Sequence, residues 1–387
     1  MSECRAIIGC EIFDGEKAHT NSALIISDTR VAGIVDQSDL PANCQVSELD
    51  GGLIAPGFID LQVNGGGGVL LNQQPDIDAI RLICATHAKF GTTAMLPTLI
   101  SDSPQVTARA IEAGIDAYQQ SVPGFIGLHI EGPHLSIPRH GAHDPSFIRK
   151  MEASDVQLLL KAAKKLPYLM VTLAPESTTN EQITALSNGG VIVSLGHSNG
   201  SCEEASAAIN AGARCVTHLF NAMSPLTHRE PGLVGAALST GSVYAGLIAD
   251  GIHVDPVAIS IALAAKKGPG QIFLVTDAMS TIGTQIKSFK LNDRTILRQN
   301  GCLRLADGTL AGADLDMAAA VRYMQETIGI SRFEAIRMAS SYPANCLQAS
   351  HEFGNLRSGA FANMVHLNDE NHVEQTWWKG EPHQAQN

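Results

Sequence analysis

Five apolar runs in this chain close on side chains able to hold a metal ion or move a proton. They read Leu128-His129-Ile130-Glu131-Gly132-Pro133, Leu195-Gly196-His197, Thr217-His218, Ala249-Asp250-Gly251-Ile252-His253 and Val275-Thr276-Asp277. One carboxylate and two imidazoles from neighbouring elements make the donor set of a catalytic zinc site, in which a fourth position stays open for water. Glu131, His197 and His218 are therefore the expected ligands of one divalent metal, Zn2+ by donor type. A lone His or Glu at a strand end is ordinarily a polar residue satisfied by its neighbours. Three at successive positions, followed by Asp277, favour chemistry instead. A metal lowers the pKa of bound water towards ~7, and a carboxylate within reach takes the proton and returns it to a leaving amine. Asp277 is the expected general base; its alternatives are a fourth ligand or a helix N-cap, since Ala278-Met279-Ser280 follows. His129 shares the strand face of Glu131 by the two-residue period and is expected behind the ligands.

These runs belong to a longer series that begins at Gly57: GFIDLQV, TTAMLPTL, GFIGLHIE, YLMVTLAPE, GVIVSLGH, RCVTHLF, VYAGLIAD and QIFLVTDA. Segments of helical period separate them, among them DIDAIRLICATHAKF, SDVQLLLKAAKKL opening on a Ser154-x-x-Gln157 capping box, and VAISIALAAKKG. Parallel strands need crossover helices, and eight such units close into an α/β (β/α)8 TIM barrel whose strand ends converge on one mouth. An open doubly wound sheet is the structural alternative. Residues 288–311 predict a hairpin insertion, and a helix is expected from the Ser331-x-x-Glu334 box. Both chain ends have strand character and are expected to pair as one small discontinuous β-sandwich. The predicted division is residues 1–54 and 351–387 for the β-domain and 55–350 for the barrel.

The 387 residues carry 26 basic and 38 acidic side chains, a formal net charge of −12. That field disfavours nucleic acid and anionic lipid as partners, so an anionic ligand must be held by locally placed donors. No run approaches the ~20 apolar residues of a membrane span. The eight cysteines show no metal-finger or redox spacing and read as reduced packing residues. With acidic residues in the opening MSECRAIIGCEIFDGE, where a secretory signal needs a basic start, a cytoplasmic protein is expected. Gly65 to Gly68 is not a phosphate-loop pattern and reads as a flexible loop. His19, His87, His351, His366, His372 and His383 are expected on the β-domain, on helix surfaces or in the tail, without function.

Ala55-Pro56-Gly57-Phe58-Ile59-Asp60, His-Ile-Glu-Gly-Pro, Leu-Gly-His-Ser, Thr-His-Leu-Phe-Asn-Ala-Met and Val-Thr-Asp-Ala-Met together resemble the amidohydrolase superfamily and, within it, the amino-sugar-phosphate deacetylases. The similarity runs to Gly354-x-Leu356-x-x-Gly359-x-x-Ala362. It implies deacetylation of N-acetylglucosamine 6-phosphate, a small-molecule partner, and a homodimer or higher homo-oligomer. Where the superfamily carries a His-x-His pair for a second metal, this chain has Gln62 and Asn64. Neutral amides are poor zinc ligands, so a single-metal site is expected with Gln62 and Asn64 around it. The resemblance places the sugar phosphate on Ala142, His143, Asn221, Ala222, Arg229, His253, Leu310, Ala311 and Gly312. Arg229 and His253 would supply the phosphate donors, with Arg229 reaching the neighbouring subunit; its alternative is a surface ion pair with Glu230. Two other readings are another N-acetylated sugar phosphate, such as the galactosamine epimer, or a cyclic amide, and a catalytically silent barrel serving as a binding module.

Overall fold

Eight parallel strands pair in chain order in the computed structural model, which describes residues 4–292 and 294–383. They are β1 (Phe58–Val63), β2 (Thr92–Ile100), β3 (Gly127–Glu131), β4 (Tyr168–Leu173), β5 (Ile192–Leu195), β6 (Cys215–Val216), β7 (Tyr244–Leu247) and β8 (Ile272–Leu274). Every residue of β1 and β2 is buried, as befits strands covered on both faces. The sheet closes on itself just beyond β8: Asp277 N–H donates to Gln62 O at 2.9 Å and Asn64 N–H donates to Ala278 O at 2.8 Å. The fold is the TIM barrel, and the open sheet is excluded.

Helices cover the barrel between strands, each started by local chemistry. Asp76, Ser103, Thr179, Ser201 and Asp255 accept a main-chain N–H of the first turn that they cap. Ser331 does the same for Glu334 N–H, at the expected box. The box at Ser154 and Gln157 is not the one used. That helix starts at Ala153, and Asp155 accepts from Glu152 N–H at 2.8 Å. A bidentate ion pair with Arg149, both bonds 2.6 Å, holds the Asp155 carboxylate in place for that role.

Beyond β8 the chain builds a four-stranded antiparallel sheet: β9 (Ser288–Leu291), β10 (Arg294–Gln299), β11 (Cys302–Arg304) and β12 (Leu310–Ala313). The expected single hairpin is thus a doubled one reaching residue 313. It packs Leu291, Ile296, Leu303 and Ala311 onto Leu70, Ile100 and Met279 at the barrel mouth. The chain ends meet as expected, Leu53–Pro56 pairing antiparallel with Met364–Leu367. That six-stranded sheet faces a four-stranded one (Cys4–Ile8, Ser22–Ser27, Arg30–Asp36, Gln45–Glu48). Ile12, Leu24, Ile26, Ile54 and Met364 fill the space between them.

Three expectations are corrected. Cys4 and Cys44 are joined in a disulfide, because parallel pairing of Arg5 with Gln45 sets them side by side with Cα atoms 4.5 Å apart. Gly65 and Gly66 are buried and paired with Val69 and Leu70; a Cβ on Gly65 would strike Val69 O, so the glycines permit a close approach and form no loose loop. His87 is fully buried, and its Nε2–H donates to Gly65 O at 2.9 Å. Among the described residues no helix is long and apolar enough to cross a membrane.

Candidate active site

Glu131 is the last residue of β3, while His197, His218 and Asp277 follow the ends of β5, β6 and β8. The latter three take left-handed backbone angles, with φ of 47°, 30° and 51°. Such angles cost a non-glycine residue ~1–3 kcal/mol each and gather where a site over-determines its geometry. Here they turn the chain out of its strands at the mouth. Glu131 Oε1 stands 3.0 Å from His197 Nε2 and 3.1 Å from His218 Nε2, and the two imidazole nitrogens are 3.1 Å apart. Donors bound to one tetrahedral zinc lie ~3.3 Å from each other. The triangle fits such an ion, and all three side chains are buried.

Ring orientation separates the histidines. His197 Nδ1–H donates to Arg139 O at 2.8 Å, which leaves a lone pair on Nε2, facing Glu131 and His218. Glu131, His143 and His197 also offer atoms within 4.8 Å of one another. His143 Nδ1, however, accepts Ser101 N–H at 3.2 Å, so a neutral His143 carries its proton on Nε2, 4.0 Å from Glu131 Oε1. Burial and the nearby His197 keep it neutral, holding its pKa well below the ordinary value. It presents a donor where His197 presents a lone pair. His129 lies deeper, its Nδ1 2.9 Å from Leu61 O and its Nε2 2.7 Å from Thr172 Oγ1. Burial pushes its pKa down to about 4. With both nitrogens occupied, His129 has no lone pair to offer a metal.

The two amides act on carboxylates. Gln62 Nε2 donates to Glu131 Oε2 at 3.1 Å and to Asp277 Oδ1 at 3.2 Å, and Asn64 Nδ2 donates to the same Asp277 oxygen at 2.6 Å. Positions 62 and 64 therefore present N–H groups, the opposite of what a second metal needs. Burial raises the Glu131 carboxyl, yet the adjoining His197 and His218 imidazoles outweigh it and hold the group well below the usual range. Burial and then the Glu131 charge push Asp277 up to about 6. Asp277 thus sits among donors on one oxygen while Oδ2 remains available for a proton.

These groups open onto a cavity of about 350 Å³. Ala142, His143, Asn221, Ala222, His253, Leu310, Ala311 and Gly312 all line it, together with Asn64, Glu131, His197, His218 and Asp277. Arg229 does not. It is exposed in the loop after β6, and Glu230, its supposed ion-pair partner, instead accepts main-chain N–H groups of Cys202 at 2.7 Å and Gly232 at 3.0 Å. The sequence reading missed three supports: Ser101 on His143, the Arg139 carbonyl on His197, and Asp250, whose Oδ2 lies 2.6 Å from His253 Nδ1. Only Asp250 carried a signal, as a strand-end acid three residues before its histidine.

A barrel with a carboxylate and two imidazoles at strand ends, and a carboxylate after β8, defines a metal-dependent hydrolase site. Residues 53–382 match the amidohydrolase family and residues 6–54 the NagA composite domain. The chain belongs to the amidohydrolase family. It is 41% identical to an N-acetylgalactosamine-6-phosphate deacetylase of Shewanella sp. (strain ANA-3), covering 96% of this chain and 95% of the relative. It is 34% identical to an N-acetylglucosamine-6-phosphate deacetylase of Haemophilus influenzae, covering 93% and 94%. The crystal structure of N-acetylglucosamine-6-phosphate deacetylase from Pasteurella multocida superimposes with a TM-score of 0.94 at 33% identity, over 98% of this chain and 99% of that one.

Proposed function

We propose that the protein hydrolyses the amide of N-acetylglucosamine 6-phosphate to glucosamine 6-phosphate and acetate. The observation that carries this reading is the convergence of Glu131, His197, His218 and Asp277 on one cavity, in a chain whose full-length relatives include N-acetylglucosamine-6-phosphate deacetylases. Glu131 Oε1 and the Nε2 atoms of His197 and His218 would hold one divalent ion, which we take to be zinc. When bound, the ion supplies Lewis acidity to the acyl oxygen and acidity to a water. Asp277 takes a proton on Oδ2 from the water that attacks the acyl carbon, while Gln62 and Asn64 hold Oδ1. His143 Nε2–H donates to the acyl oxygen as charge builds there. The carbon–nitrogen bond then breaks as Asp277 returns its proton to the amine, leaving acetate and the free amino sugar.

His253, held by Asp250, is our phosphate donor within the chain. Arg229 we assign to the neighbouring cavity of a homodimer: it is exposed in the loop after β6 and does not line its own cavity. Six cysteines are free among the described residues, and we retain the cytoplasm as location. The division at 54/55 and 350/351 is likewise ours; the separate core of the two small sheets supports it. A second reading, the galactosamine epimer, is favoured by the 41% identical relative. Acetate release from both epimers, with and without the 6-phosphate and before and after chelation, tests these readings. Chelator-sensitive release from the phosphorylated glucosamine form, with about one metal per chain, is expected; no release from any of them after metal reloading overturns the function.

A further inference from the structure

We infer that Arg294 is a positioning residue that ties the β9–β12 sheet to the loop carrying His143, so that the two walls of the cavity stand in register. The loop from Pro138 to His143 touches the metal triangle at several points. Its Arg139 carbonyl fixes the His197 ring, its Gly141 lies against that ring, and its last residue presents the His143 Nε2–H. Inside the loop, His143 N–H donates to His140 O at 3.0 Å, and His140 Nδ1 lies 3.1 Å from His143 O. These bonds shape the loop without locating it against the facing wall.

That wall is the sheet, which contributes Leu291, Thr309, Leu310, Ala311 and Gly312 to the cavity. Arg294 begins β10 directly across the turn from Leu291. Its Nη2 donates to Ala142 O, the carbonyl preceding His143. Among the described residues this is the only side-chain hydrogen bond between the sheet and the 138–143 loop. Around it the contact is apolar, Ala142 resting against the cluster that holds Leu291 and Ala311, and apolar contact slides where a charged donor on a carbonyl does not. Asp144, just after the loop, lies near enough for the Arg294 charge to add to the Ser146 hydrogen bonds that hold its carboxyl low, and Asp307 on the sheet side feels the same charge.

The inference rests on the deacetylase reading for its kinetic arm only. Arg294→Met keeps the apolar stem and loses the donor. Acetate release should fall roughly 10- to 100-fold in kcat, with metal content at the wild-type level, since small misplacements of reacting groups have effects of that size. Arg294→Lys, whose ammonium can reach the same carbonyl, should recover at least part of the rate. In a His143→Ala background, Arg294→Met should slow the enzyme less than it does in the wild type, because part of the loss passes through His143. Hydrogen exchange at residues 139–144 should rise about tenfold in Arg294→Met while the barrel strands keep their protection. Wild-type kcat in Arg294→Met, an equal loss in both backgrounds, or unchanged exchange over 139–144 overturns the inference. Should the wild-type protein release no acetate, the deacetylase reading fails and the exchange comparison alone decides the tie.

Discussion

Gln62 spends the two hydrogens of a single amide on two acids, Glu131 Oε2 at 3.1 Å and Asp277 Oδ1 at 3.2 Å. The bridge determines which oxygen of each acid is left to work: Oε1 of Glu131, towards the imidazoles, and Oδ2 of Asp277. It also separates two carboxylates that would otherwise repel across a buried gap.

Gln62→Leu removes this bridge at nearly constant volume. Metal affinity should drop by roughly 10- to 100-fold, the usual effect of losing a partner that orients a ligand. Competition with a chelator of known affinity reads it directly, and an unchanged dissociation constant would show that the bridge is incidental.

Asp277→Asn keeps the shape of the acid and cannot accept a proton. Steady-state kcat should fall by roughly 10²–10⁴ with about one metal per chain still bound. Turnover within threefold of wild type would remove Asp277 from the proton path.

Arg229→Ala should raise KM for the phosphorylated sugar roughly 10- to 100-fold, as expected for a lost hydrogen bond to a charged group. The unphosphorylated sugar should be unaffected. Co-assembling Arg229→Ala subunits with Asp277→Asn subunits should restore about a quarter of wild-type activity at low substrate, because one site in each mixed dimer is then whole. Absence of restoration would place Arg229 at its own subunit's site.

Stability should depend on pH through His87, which burial pushes down to about 4 from the ordinary 6.5. The unfolded chain then binds the extra proton between those values, so this contribution is complete above pH 6.5 and is lost as pH falls towards 4. It amounts to roughly 3 kcal/mol. His87→Leu should be less stable than wild type at pH 7.5, since Gly65 O loses its donor, yet lose less stability on going to pH 5. Urea midpoints at the two pH values measure both effects; identical pH dependence in the two proteins would contradict the assignment.

The barrel strands and the four central site residues are legible in the sequence for one reason. Each apolar run is long enough to be buried, and the runs that supply the site close on polar groups. Ring orientation is not legible, because Ser101 and the Arg139 carbonyl come from segments without periodicity. Burial of His87 depends on the Gly65–Leu70 ribbon, invisible to a helical-face reading. The Cys4–Cys44 bond depends on a parallel pairing across 40 residues, which cysteine spacing alone does not encode. Arg294 sits in a strand whose pattern speaks only of pairing, and its partner is a carbonyl 152 positions away.

The seam where β8 returns to β1 has a consequence for the protein's synthesis. Asp277 and Gln62, 215 positions apart, meet only there, and the same few residues supply main-chain hydrogen bonds that shut the cylinder. A ribosome that has not yet released the eighth strand carries a chain with both imidazoles and Glu131 already made, but without Asp277 to move the proton. Such a nascent chain could capture an ion without being able to turn over the sugar, so catalysis begins only once the cylinder has shut.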